Sequence, residues 1–213
     1  MRPDDRWNAG ITWLDEPLRR TDDGPLAGRT LLVKDLIDTA GIRTTYGSRV
    51  YADHVPARNA IVVERVLDAG AAIVGKANLA EFAWGVLGTN EWYGTVHNPA
   101  RPGRTTGGSS SGNAAAIAGG LCDLGIGTDT GCSVRLPSAA CDIVGLKTRL
   151  GNVPVDGVFP LCPSFDTVGP LGRSVADVAG LWSVLSGRPV PEPRLAGRTI
   201  GLLRRAPSLA DGR

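Results

Sequence analysis

The sequence predicts an α/β protein with a mixed, mainly parallel central sheet and helices on both of its faces. Two stretches carry that prediction. Residues 30–36 (TLLVKDL), 59–69 (NAIVVERVLDA) and 71–74 read in succession as an apolar strand, a helix with apolar residues at helical spacing, and a second strand. Residues 107–135, GGSSSGNAAAIAGGLCDLGIGTDTGCSVR, then place an alanine-rich segment and a short apolar run between two clusters of glycine and hydroxyl residues. Alternation of this kind packs helices against a mainly parallel sheet. With 213 residues, 42% of them hydrophobic, the chain can fill one substantial core, so a single domain over 1–213 is expected.

Taken in order, the chain opens on a polar, proline-bearing segment in which only residues 9–18 could form a helix. The strand at 30–36 carries one lysine, Lys34, near its end, and residues 38–41 supply a turn. The helix at 59–69 stops at Gly70, and 71–74 continues as a strand. Residues 81–94 hold four of the aromatic side chains and read as a helix and loop, and 98–104 is a proline-rich connection. The helix at 113–119 follows a Ser/Gly cluster, which therefore sits at a helix N-terminus. The run 121–127 is bounded by glycines and is short enough to suit a buried strand. A short strand at 143–147, a helix at 174–185 and a last strand at 199–203 complete the expected elements.

Charge is uninformative about partners. The 23 basic and 21 acidic residues are scattered, giving a net charge of +2 with no basic stripe for nucleic acid. The four cysteines, Cys122, Cys132, Cys141 and Cys162, show no C-x-x-C spacing, and only His54 and His97 could join them, so no metal site is expected. Reduced thiols fit a cytoplasmic protein. MRPDDRWNAG has no apolar core behind its charges and does not read as a signal peptide, and no run is long enough for a membrane span.

The glycine and hydroxyl clusters point to an anion, because glycines allow close backbone approach and successive N–H groups attract negative charge. A phosphate cradle would need a lysine that neither cluster has. The other anion is the oxyanion of acyl transfer, and Ser133 after Thr130, Gly131 and Cys132 provides a serine beside a row of amides. Residues 108–112, GSSSG, also match the G-x-S-x-G elbow with Ser110 as nucleophile, but that fold needs a later histidine and both histidines come earlier. Lysine remains as a base, since burial lowers an amine's pKa. Lys34, Lys76 and Lys147 each follow a short apolar run, where sites in open α/β sheets are built, and periodicity does not choose among them.

Three segments make the choice through a resemblance. LLVKDLID (31–38), TTGGSSSGNAAA (105–116) and GTDTGCSVRLPSAACDIVGLKT (127–148) resemble the signature of the amidase signature family of serine hydrolases, and the likeness extends from about Trp7 to about Leu203. Matched residue by residue, it implies a Ser, cis-Ser, Lys triad with Lys34 as base, Ser109 as bridging serine after a cis peptide, and Ser133 as nucleophile. The amides around Thr130, Gly131, Cys132 and Ser133 are implied to form the oxyanion hole. Ser109 can relay a proton because a hydroxyl both donates and accepts. Asp129 and Arg135 flank the nucleophile and are candidates to pair across the loop.

The chain departs from the family pattern in places. Cys132 stands where glycine is usual, which is awkward if that position takes a positive φ. Ser111 replaces a frequent glycine and Asn113 a frequent serine. Family members are also considerably longer, so the C-terminal half of the fold is expected to be absent. The open sheet edge would then be covered by a homo-oligomer or another partner. The implied activity is cleavage of a small-molecule carboxylic amide to acid and amine, without metal or other cofactor. Two alternatives stand beside it: the glutamine-hydrolysing A subunit of a glutamyl/aspartyl-tRNA amidotransferase, and a truncated remnant without turnover.

Overall fold

In a computed structural model residues 3–192, 196–199 and 201 are described. They form one mixed six-stranded sheet with helices on both faces. The strands are β1 (Gly10–Leu18), β2 (Thr30–Lys34), β3 (Ala72–Ala77), β4 (Leu124–Asp129), β5 (Val144–Gly145) and β6 (Thr167–Gly172), in the spatial order β1-β3-β2-β4-β6-β5. The centre, β3-β2-β4, is parallel, whereas β1 and β6 pair antiparallel with their neighbours. The parallel character is thus confined to the strands that carry the site, and β5 runs in the same direction as they do.

Side chains alternate across β2. Leu31 and Val33 join Ile73, Leu124, Ile126 and Val168 on one face, under α1 (Ile61–Asp68) and α4 (Val175–Ser186). Leu32 and Leu171 face the other way, under α2 (Ser111–Ala118) and the segment leading through α3 (Arg135–Ala140). Lys34 has the parity of Leu32, so it points toward the start of α2. The helix ends follow the usual chemistry. Ser174 and Asp177 form a reciprocal capping box on α4, and Gly187 closes it at φ 68°.

The expected helix at 9–18 is instead the edge strand β1. Ile11, Thr12 and Trp13 suit a pleated surface, and Pro17 is tolerated on an edge. Asp5 fixes the entry by accepting from the amides of Ala9 and Gly10 and from Trp13 Nε1, each at 2.9 Å. Residues 81–94 form only one 3₁₀ turn, Glu81–Ala83, followed by loop. The strand expected at 121–127 begins later and ends at Asp129, and that at 143–147 shrinks to Val144–Gly145. Strand β6 was not foreseen, because Gly169, Pro170 and Gly172 read as loop punctuation. Gly169 is there for close approach: a Cβ would lie 2.4 Å from the Leu146 carbonyl oxygen. The strand expected at 199–203 falls largely outside the described residues. Among the described residues no helix is long and apolar enough to cross a membrane.

Candidate active site

The site lies at the carboxyl ends of the two central parallel strands β2 and β4, where ligands of open α/β sheets bind. Lys34, the last residue of β2, is fully buried, and its Nζ donates to Ser109 Oγ at 2.7 Å and to Thr128 Oγ1 at 2.8 Å. Burial pushes its pKa down to about 7, against the opposing attraction of Asp129 and Asp166. The Gly108–Ser109 peptide bond is cis. Gly107 takes φ 68°, and a Cβ on Gly108 would come within 3.2 Å of the Gly88 amide nitrogen.

Ser110 ties the two clusters together. Its amide donates to the Ser133 carbonyl at 3.1 Å, and its hydroxyl lies 3.3 Å from both the amide and the carbonyl oxygen of Thr128. Ser133 is buried in the loop between β4 and α3. Among the described residues its hydroxyl makes no hydrogen bond with Ser109. What joins the segment of Ser109 to the loop of Ser133 is the backbone contact through Ser110.

The loop after β4 is held at its base. The Asp129 carboxylate accepts from the amides of Val134 and Arg135 at 3.0 and 3.2 Å, and from the Arg135 guanidinium by two bonds of 3.0 Å. Burial works to raise the Asp129 carboxyl, but the bonds from Arg135 and Val134 outweigh it and hold the group below the usual carboxylate range. The pairing of Asp129 with Arg135 is therefore real, and it fixes the turn rather than lying loose in solvent. Between these anchors, the amides of Thr130, Gly131, Cys132 and Ser133 donate no hydrogen bond among the described residues. None of the four has a positive φ, so Cys132 is accommodated without backbone difficulty. Four consecutive donors beside a serine, without a partner among the described residues, can stabilise negative charge on a bound carbonyl oxygen.

The rival lysines are engaged elsewhere. Lys76 is buried beside Asp35 (3.6 Å) and donates to the Ile37 carbonyl at 2.6 Å and to Thr44 Oγ1 at 2.7 Å. Burial lowers it to about 8, so a depressed pKa alone would not separate it from Lys34, whereas contact with Ser109 does. Lys147 donates to the Thr148 carbonyl at 2.9 Å. His54 meets the Tyr46 hydroxyl at 3.0 Å and is no partner of Ser110 or Ser133. The sequence reading missed Thr128, the second partner of Lys34, and Asp166, which accepts from Thr130 Oγ1 at 2.6 Å. Neither carries a spacing signal that would single it out.

This fold and the signature segments define a member of the amidase family. A family model described as Amidase matches residues 12–195, and the chain belongs to that family. Among its relatives, the A subunit of glutamyl-tRNA(Gln) amidotransferase from Natronomonas pharaonis is 49% identical over 180 residues, covering 84% of this chain and 42% of that protein. The protein of the same name from Symbiobacterium thermophilum is 48% identical over 86% of this chain and 38% of its own length. Among solved structures, the A subunit of glutamyl-tRNA(Gln) amidotransferase from Thermotoga maritima superposes with a TM-score of 0.82 at 37% identity, covering 88% of this chain and 41% of that one. Peptide amidase of Stenotrophomonas maltophilia superposes with a TM-score of 0.79 at 36% identity, covering 86% and 41%. The chain spans less than half the length of each of these relatives.

Proposed function

We propose that the chain carries the catalytic centre of an amide hydrolase working through Lys34, Ser109 and Ser133. Neutral Lys34 takes a proton from Ser109, which takes one from Ser133 as its Oγ attacks the amide carbon. The negative oxygen of the tetrahedral intermediate is received by the amides of residues 130–133. Lys34 returns the proton through Ser109 to the departing amine, and water releases the acid from Ser133. The observation that carries this reading is the buried Lys34, 2.7 Å from Ser109, beside the free amides that lead to Ser133.

The test is covalent labelling of the 213-residue chain with a fluorophosphonate, followed by peptide mapping. Label is expected on Ser133 in the wild type and none in Ser133→Ala, with Lys34→Ala and Ser109→Ala slower by orders of magnitude because such groups act as a unit. An unlabelled, folded wild type would make the chain a remnant without turnover. A second reading, glutamine as the amide and a partner protein as the destination of its ammonia, is supported by the names of the relatives, which are amidotransferase A subunits. Release of ammonia from glutamine in preference to other small amides would establish it. The four cysteines are free, which fits a reducing compartment such as the cytoplasm.

A further inference from the structure

We infer that Asp166 and Thr167 are positioning residues that aim the Thr130 amide at the reacting carbonyl oxygen. This rests on the reading of Ser133 as nucleophile. The peptide unit between Asp129 and Thr130 is planar, with the Asp129 carbonyl and the Thr130 N–H on opposite edges. Whatever fixes that carbonyl therefore fixes the direction of the N–H. The Thr167 hydroxyl donates to the Asp129 carbonyl at 2.6 Å, so the N–H is turned away from β6. The next torsion is held by the Thr130 hydroxyl, which donates to Asp166 Oδ1 at 2.6 Å. Asp166 is itself held, because its other oxygen accepts from the amides of Leu161 and Cys162, both at 2.9 Å.

Two neighbouring residues of one strand entry thus grip both sides of a single peptide unit. Asp129 needs no such grip for its own side chain, which Arg135 and Val134 already hold. The grip acts instead on the one free amide of the loop that lies nearest the rigid strand β4. An oxyanion donor works only if its direction is set before the charge develops. Asp166 and Thr167 supply that preorganisation from outside the signature loop, without touching substrate.

The experiment measures the inactivation rate and the reversible binding constant of a fluorophosphonate separately, on the full chain, for Thr130→Val, Thr167→Val, Asp166→Ala and the conservative Thr130→Ser and Thr167→Ser. Each valine variant is expected to lose roughly tenfold in inactivation rate with unchanged reversible binding, less than the 10²–10³-fold loss on removing a donor outright. The serine variants should restore the wild-type rate. Thr130→Val combined with Asp166→Ala should be no slower than Asp166→Ala alone, because either change removes the Thr130–Asp166 bond. Should Asp166→Ala not fold, the Thr130 and Thr167 pairs decide the matter. Valine variants that label at the wild-type rate, whether or not their melting temperature drops, would overturn the positioning role alone. A folded wild type that does not label at Ser133 would overturn the nucleophile assignment, and this inference with it.

Discussion

At the scale of single residues, the proposed base Lys34 is distinguished from Lys76 by its contacts and not by its titration. Lys34 and Lys76 are both buried at strand ends and both depressed, to about 7 and about 8. Lys76 faces the carboxylate of Asp35, which burial raises and which Thr45 holds through its amide at 2.8 Å and its hydroxyl at 2.6 Å. Lys34 faces two hydroxyls. The sign of the pH effect follows: Lys34 is neutral above about pH 7 and protonated below it, so the labelling rate of Ser133 should hold above that value and fall about tenfold per unit beneath it. Lys76→Met should unfold more easily, since it strands a buried carboxylate, yet keep the same acid limb. A Lys76→Met protein that loses the limb would show that the wrong lysine had been assigned. From sequence alone the three lysines were equivalent, and only the family pattern separated them, because their surroundings come from residues distant in the chain. Thr128 and Asp166 were illegible for the same reason.

At the scale of elements, legibility followed the strength of the local signal. Helices α1 and α4 were read close to their observed bounds, since apolar spacing and stop or cap residues agree. β1 and β6 were misread or missed because tertiary pairing, and not local preference, makes them strands. The helix α2 shows what such a reading cannot see. It is buried on nearly every side, and at Gly112 a Cβ would stand 2.1 Å from the Ala9 carbonyl oxygen and 2.5 Å from the Asn78 amide nitrogen. Both are backbone atoms with little room to give. Gly112→Ala should therefore destabilise the fold by about 1–3 kcal/mol, as overpacking does. Gly180→Ala, in α4, where a Cβ meets nothing within 4 Å, should stabilise it by about 0.5–1 kcal/mol. Denaturant unfolding of the two variants against wild type measures both, and equal midpoints would refute the packing argument for Gly112.

At the scale of the whole molecule, the site opens onto an apolar rim. The loop at 84–88 packs by its backbone against residues 106–108: a Cβ on Gly108 would lie 3.3 Å from the Gly85 carbonyl oxygen, and one on Gly88 would lie 2.9 Å from the Gly107 carbonyl oxygen. Its side chains are left in solvent, with Trp84 80% and Leu87 61% exposed. Leu136, whose Cγ a Cβ on Gly107 would meet at 3.0 Å, is also exposed. The rigid part of the site is thus the sheet end and the two glycine loops, and its apolar borders have no cover among the described residues. Clustered exposed apolar groups favour association. Sedimentation velocity over a concentration series should show self-association of the wild-type chain, and Trp84→Ser with Leu87→Ser should reduce it while leaving the melting temperature nearly unchanged, since both side chains are largely solvated. Labelling of Ser133 should survive in that double variant, because both side chains project largely into solvent. A wild type that stays monomeric throughout the series would show that the rim does not drive association, and loss of labelling in the double variant would move Trp84 or Leu87 from the border of the site into its working parts.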